Sequence, residues 1–93
     1  MEDFFFTYVL FSEIDHKLYI GFSTDVHARF VQHENGEVLS TAPRRPLKLI
    51  YFEGHLSKEA ALGRERYFKT TSGRRTLKIV LKDTLVKLNY AGL

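Results

Sequence analysis

Phe4-Phe5-Phe6-Thr7-Tyr8-Val9-Leu10-Phe11, followed after the polar Ser12 to His16 by Lys17-Leu18-Tyr19-Ile20-Gly21-Phe22, reads as two strands joined by a turn. The first run is almost unbroken in aromatic and aliphatic residues. It is rich in β-favouring types and too short for an isolated helix, the pattern of a strand covered on both faces. The second run alternates, with Leu18, Ile20 and Phe22 against Lys17, Tyr19 and Gly21, which is the period of a strand with two unlike faces. The two therefore form a hairpin. Tyr8 and Tyr19 point to the same face of the sheet if the register pairs Tyr8 with Gly21, which a connection with an even number of residues permits, whereas an odd loop or a bulge would separate them.

Downstream of the hairpin, Ser23-Thr24-Asp25 offers N-cap residues, and the segment to about Glu34 sets Val26 and Phe30 one turn apart before an Asn35-Gly36 stop, the marks of a first helix. Arg29 and His33 lie one turn apart on the flank of its apolar face, bordering the core. Glu37 to Pro46 lacks periodicity, contains both prolines and reads as a loop, and Leu47 to Phe52 is a third strand. Ser57 caps a second helix to about Lys69, with Ala60, Ala61, Leu62, Tyr67 and Phe68 on its apolar side. Glu65 falls inside that arc, where a carboxylate needs a partner; neighbouring Arg64 offers an ion pair, a functional role offers another explanation. After Thr70-Thr71-Ser72-Gly73, Leu77, Leu81, Leu85 and Leu88 recur at helical spacing with Lys78, Lys82 and Lys87 outside, which predicts a third helix of about four turns. The β-branched pair Ile79-Val80 weakens its middle. The expected fold is α/β in the broad sense (α+β): a small three-stranded, mainly antiparallel sheet flanked by about three helices, in β-β-α-β-α-α order.

A chain of 93 residues has room for one modest core, so residues 1–93 are expected to form one domain. Eight Phe and five Tyr supply enough apolar surface to offset ordering entropy, which excludes a disordered chain. The absence of cysteine excludes disulfides and thiolate metal sites and fits a reducing compartment, so a cytoplasmic location is expected. The acidic start Met1-Glu2-Asp3 is the reverse of a secretory signal, and no apolar run approaches the roughly 20 residues that span a bilayer. A net charge of +3 is a mild basic bias of the kind that suits phosphate-bearing partners.

Tyr19-Ile20-Gly21, preceded by Phe6-Thr7-Tyr8 and followed by Arg29, His33 and Glu65, closely resembles the GIY-YIG nuclease domain, in particular its small single-domain bacterial members. The resemblance covers roughly residues 4 to 82. Its second signature is matched directly; the first keeps the tyrosine and has Phe6 at the glycine. Arg29 and His33 match the arginine and the following histidine or tyrosine of the family's first helix, and Glu65 within Leu62-Gly63-Arg64-Glu65-Arg66 matches its metal-binding glutamate. Arg44 to Glu53 and Lys69 to Leu77 also look like the single-domain branch. The asparagine that several members carry in the C-terminal region has no obvious counterpart, the chain reading Thr76-Leu77-Lys78 there.

The resemblance implies a metal-dependent endonuclease acting on nucleic acid, DNA ahead of RNA, with a place in DNA repair or processing. Tyr8, Tyr19, Arg29, His33 and Glu65 are its implied catalytic set. Glu65 is the implied metal ligand, and a hard cation suits a lone carboxylate, Mg²⁺ first and Mn²⁺ next. Arg29, with its planar fork of donors, suits the charge that develops on phosphate oxygens. The resemblance implies that one of Tyr8 and Tyr19 is the general base, Tyr8 favoured by analogy with the family, that the other positions water or phosphate, and that His33 orients or relays a proton. Taken singly, a strand tyrosine is ordinarily a core-edge residue, and it is the set that carries the reading. Arg44, Arg45, Lys48, Arg74 and Arg75 form a candidate nucleic-acid-binding surface that would position the backbone without reading sequence. His16, His27 and His55 are expected at the surface. The competing readings are a nucleic-acid-binding module of the same fold with little turnover, and a domain that works only when a partner recruits it.

Overall fold

The structure, a computed structural model, describes residues 3–90; Met1 and Glu2 of the acidic start lie outside the described residues. The central strand β1 (Phe5–Ser12) pairs antiparallel with β2 (Leu18–Ser23) on one side and with β3 (Leu47–His55) on the other. Its place in the middle explains its unbroken apolar run, since Thr7 to Ser12 are buried. Tyr8 pairs with Gly21 and Leu10 with Tyr19, so the two tyrosines share a face as an even connection permits. The turn is held by Ser12 Oγ, which accepts from the backbone N–H groups of Ile14 and Asp15, each at 3.2 Å.

α1 (Val26–Glu34) is capped by Asp25, whose carboxylate accepts from Ala28 N–H at 3.0 Å. It ends at Asn35, after which Gly36 takes a φ of +76, a conformation glycine adopts without strain. A short 3₁₀ turn (Ala42–Arg44) interrupts the loop that follows. β3 runs past the expected Phe52 to His55 because Phe5, at the start of β1, pairs with that residue. Val9 pairs with Tyr51 but Leu10 with Leu49, which leaves Ile50 as the extra residue of a bulge. Ile50 and Tyr51 consequently both pack on the Val9 side. Gly54 stands opposite Phe6, where a Cβ would press on the Phe6 ring at 3.2 Å; the cross-strand glycine makes room for the phenylalanine.

The sheet separates two clusters. On one face Tyr8, Leu10 and Leu47 pack with Val26 of α1. On the other Val9 and Ile20 pack with Phe68, Leu77, Leu81 and Leu85, from α2 (Lys58–Phe68), α3 (Thr71–Val80) and α4 (Lys82–Lys87). Ser57 caps α2 by accepting from Ala60 N–H at 3.2 Å. Ala61 and Phe68 form its buried side; Ala60, expected there, is exposed. Thr7 Oγ1 donates to the Ala61 carbonyl at 2.6 Å, and Arg64 binds both Glu53 oxygens, at 2.6 and 3.3 Å, while lying over the Phe68 ring. These contacts fix α2 on β1 and β3. At Gly73 a Cβ would overlap the Tyr67 carbonyl, so α3 packs backbone to backbone on the end of α2.

The third helix differs from its expectation. The predicted four turns divide into α3 and α4 at Leu81, which caps the end of one and the start of the other. Hydrogen bonds run through the break, Leu81 N to Leu77 O at 2.9 Å and Leu85 N to Leu81 O at 2.8 Å, so this is a bend in a continuing ladder. Ile79 and Val80 face solvent at 72% and 50% exposure, β-branched residues that stiffen the turn without packing gain. The bend keeps Leu77, Leu81 and Leu85 buried together on the sheet. No helix among the described residues is long and apolar enough to cross a membrane.

Candidate active site

Tyr8 is the centre of the polar cluster. Its ring lies across Gly21 on the edge strand β2: a Cβ there would fall 2.9 Å from Tyr8 Cε1 and overlap its Cζ and Oη. The glycine is thus required by close approach, with no demand on φ. Tyr8 Oη meets His33 Nε2 at 2.8 Å, and His33 Nδ1 meets Thr41 Oγ1 at 2.7 Å. His33 and Thr41 are fully buried and Tyr8 nearly so. The Tyr19 ring completes the group, its centroid 6.4 Å from that of Tyr8 and 5.2 Å from that of His33.

Charge reaches Tyr8 from both layers. Burial pushes its phenol above 10.0, the Arg29 guanidinium pulls against the rise, and Tyr19 and Glu65 add to it. Arg29 comes from α1 and Glu65 from α2, which lie on opposite faces of the sheet, and both act on a phenol carried across Gly21 toward the sheet edge. Arg29 Nη1 donates to Gln32 Oε1 at 2.9 Å. Glu65 is half-buried and paired with Lys69 at 3.2 Å, one turn along α2. The alternative partner considered for it, Arg64, is engaged by Glu53 instead. Where the family's asparagine would stand, Thr76 Oγ1 meets Tyr67 Oη at 2.7 Å and ties α3 to α2.

Burial, with Arg29 beside it, lowers His33 from 6.5 to about 4, so the ring is neutral at pH 7. The unfolded chain then binds more protons than the folded one between those two values, and stability falls as pH drops from 6.5 to about 4. The expected loss across that window is up to about 3 kcal/mol. Urea midpoints measured at its two ends should show it, and a His33→Gln variant should lose this component of the pH dependence; a parent midpoint that does not move would contradict the buried neutral ring.

The basic residues divide. Arg44 is bound by Asp15 at 2.7 Å, and holds that carboxyl down at about 2. Arg45 donates to the carbonyls of Ala42 and Glu34 and closes the C-terminal end of α1. Lys48 pairs with Glu13 at 3.3 Å. Arg74 and Arg75 are exposed on α3. Arg44 and Arg74 line a cleft of about 520 Å³ together with Lys17 and Lys78, floored by Leu18, Ile20 and Leu77. These apolar residues lie on the face opposite Tyr8, so the cleft and the tyrosine cluster are separate. His16 and His27 are exposed, but His55, expected at the surface, is half-buried against Glu53 at 3.2 Å.

Thr41 is the residue that pattern reading misses. It lies in a segment without periodicity, and nothing local in the sequence marks a loop threonine as the partner of a helix histidine. Only the return of the chain over α1 brings them together.

Comparison with known proteins gives the same family as the residues. A UPF0213 protein of Staphylococcus epidermidis is 40% identical over 67 residues, 71% of this chain and 82% of the relative. A UPF0213 protein of Streptococcus sanguinis is 38% identical over 71 residues, 75% of this chain and 82% of the relative. One from Clostridium perfringens is 32% identical over 77 residues, covering 82% and 83%. No solved structure matches significantly. The model of the GIY-YIG catalytic domain matches residues 4–78, the span that holds the sheet, the tyrosines, Arg29, His33 and Glu65, and the chain belongs to the GIY-YIG family of nucleases.

Proposed function

We propose that the chain is a metal-dependent endonuclease that hydrolyses phosphodiester bonds, with DNA as the favoured substrate and Mg²⁺ as the favoured metal. The observation that carries this reading is the 2.8 Å contact between Tyr8 Oη and His33 Nε2, with Tyr19, Arg29 and Glu65 grouped around the same phenol.

A phenol raised by burial is a poor base at rest. It becomes competent if its own proton leaves as the proton of the attacking water arrives, and the neutral His33 ring is an acceptor within hydrogen-bond reach. Tyr8 thus passes protons from water to imidazole without existing as a free phenolate. Arg29 has guanidinium donors beyond the one given to Gln32, and a permanent charge suited to phosphate oxygens. Tyr19 presents its ring at the wall of the site and orients water or phosphate.

Among the described residues no three His, Cys, Asp or Glu side chains gather as a metal cage. Mg²⁺ asks for less, since it commonly binds one or two carboxylates and completes its shell with water and substrate phosphate. Glu65 fits that requirement: it is half-buried, its partner Lys69 is half-exposed, and such ion pairs are weak enough to yield. When bound, the metal would act as a Lewis acid on the phosphate.

The test is cleavage of labelled DNA and RNA by the purified chain with Mg²⁺, Mn²⁺ or EDTA. Arg29→Ala should lower the rate about 10²–10³-fold, the usual consequence of losing a donor to transition-state charge. Glu65→Ala should raise the metal concentration needed for half-maximal cutting. Cleavage that survives both substitutions would remove this site from consideration. Salt-dependent DNA binding without cutting under any metal would favour the binding module.

A further inference from the structure

Thr41 bears none of the roles proposed above, yet its contacts are unusual for a loop threonine. Its side chain is fully buried. The hydroxyl lies 2.7 Å from His33 Nδ1 and 3.5 Å from the Val38 carbonyl. That carbonyl already accepts from the backbone N–H groups of Thr41 and Ala42, so the backbone of this turn holds without the side chain. The short contact is the one to histidine.

The direction of the protons follows from which groups can give and which can take. Tyr8 Oη has His33 Nε2 as its hydrogen-bonded acceptor; Arg29 beside it can only donate, and Tyr19 and Glu65 act on the phenol through charge, with no hydrogen bond to it among the described residues. A phenol 2% exposed therefore gives its hydrogen to Nε2. A neutral imidazole that accepts at Nε2 carries its own hydrogen on Nδ1. Nδ1–H donates to Thr41 Oγ1, and the threonine hydroxyl turns its hydrogen toward Val38 O. The chain of hydrogen bonds runs one way, from Tyr8 to the loop backbone, and no buried side-chain polar atom among the described residues lacks a partner.

We infer that Thr41 is a positioning residue that, by accepting from Nδ1–H, holds His33 in the tautomer that presents a bare Nε2 to Tyr8. Its effect on cleavage rests on the proton route proposed above; the tautomer itself does not. When the phenol proton moves to Nε2 as Tyr8 receives one from water, Nδ1 keeps its hydrogen, and the bond to Thr41 strengthens because its donor is then charged. Without the hydroxyl, Nδ1–H is left buried and unpaired. The ring then satisfies itself by moving its hydrogen to Nε2 or by turning, and either change withdraws the acceptor from Tyr8.

The experiment is ¹⁵N NMR of the histidine ring nitrogens at pH 7, read beside cleavage rates. The parent should show His33 protonated at Nδ1 and unprotonated at Nε2, and Thr41→Ser should show the same. Thr41→Val, which keeps the shape and removes the oxygen, should lose that pattern and cleave about 10–100-fold more slowly with KM for DNA unchanged, the scale known for the orienting partners of metal-bound imidazoles. A parent ring protonated at Nε2 overturns the inference, as does a Thr41→Val protein with the parent's tautomer and rate. If the parent cuts nothing, the nuclease reading fails, and the change of tautomer between parent and Thr41→Val still decides for or against Thr41. Should Thr41→Val not fold, Thr41→Ala, which also removes the oxygen, takes its place in the same comparison.

Discussion

Tyr8→Phe should slow phosphodiester cleavage by about 10²–10⁴-fold, the range lost with a general base, while KM for nucleic acid stays close to the parent's. The substitution removes one oxygen and leaves the ring over Gly21, against Tyr19 and His33. What it takes away is the group proposed to exchange the proton of water for one delivered to Nε2. The same deletion leaves a buried imidazole nitrogen without its donor, a loss of about 1–3 kcal/mol. A melting curve should therefore shift downward, by several degrees per kcal/mol for a domain of this size, and rates should be compared well below both midpoints. Tyr19→Phe is the control. Its hydroxyl makes no hydrogen bond among the described residues, so its loss should be the milder one. A Tyr8→Phe enzyme within tenfold of the parent would take Tyr8 out of the proton route; a larger loss with Tyr19→Phe would exchange the two roles.

The preference for Tyr8 over Tyr19 illustrates what the sequence could and could not carry. Alternation in Lys17 to Phe22 puts both tyrosines on one face only if the connection is of even length, a parity the sequence leaves open and the pairing of Tyr8 with Gly21 supplies. Caps at Asp25 and Ser57 and the glycine after α1 are local chemistry, and they are legible for that reason. The bend at Leu81 is not local. Leucine spacing alone predicts one helix, and nothing in that spacing marks Leu81 as the residue at which α3 gives way to α4. Charge is the least legible property. Arg44, Arg45 and Lys48 read alike as a basic surface, yet each is held by a different partner, Asp15, two backbone carbonyls and Glu13, that is remote in sequence or invisible to a count of side-chain charges. The link from Tyr8 through His33 to Thr41 joins three elements, and no pattern within any one of them announces it.

Gly21→Ala should reproduce the catalytic loss of Tyr8→Phe without touching a reactive group. Alanine suits an extended strand, and the backbone at position 21 makes no demand that only glycine meets. The obstacle is the phenol: the new methyl group would occupy space held by Tyr8 Cζ and Oη. A flexible side chain at a surface would swing aside at little cost, but this ring is nearly buried, packed in the cluster with Leu10 and Val26 and bonded to His33. It must either lift off the strand or leave Nε2, and both outcomes move Oη from the proton route. The rate should fall to within about tenfold of the Tyr8→Phe level, with stability lowered by about 1–3 kcal/mol, as for other overpacked sites. The double variant separates this explanation from a general disturbance of the hairpin. If Gly21 acts only through the position of Oη, Gly21→Ala has nothing left to displace in a Tyr8→Phe background, and the double variant should be no slower than Tyr8→Phe alone. Losses that multiply would instead mean that the glycine serves the site by another route, such as the path of the substrate along β2. The Tyr-Ile-Gly signature would then owe its glycine to the ligand, and the packing of Tyr8 across the strand would be incidental to it.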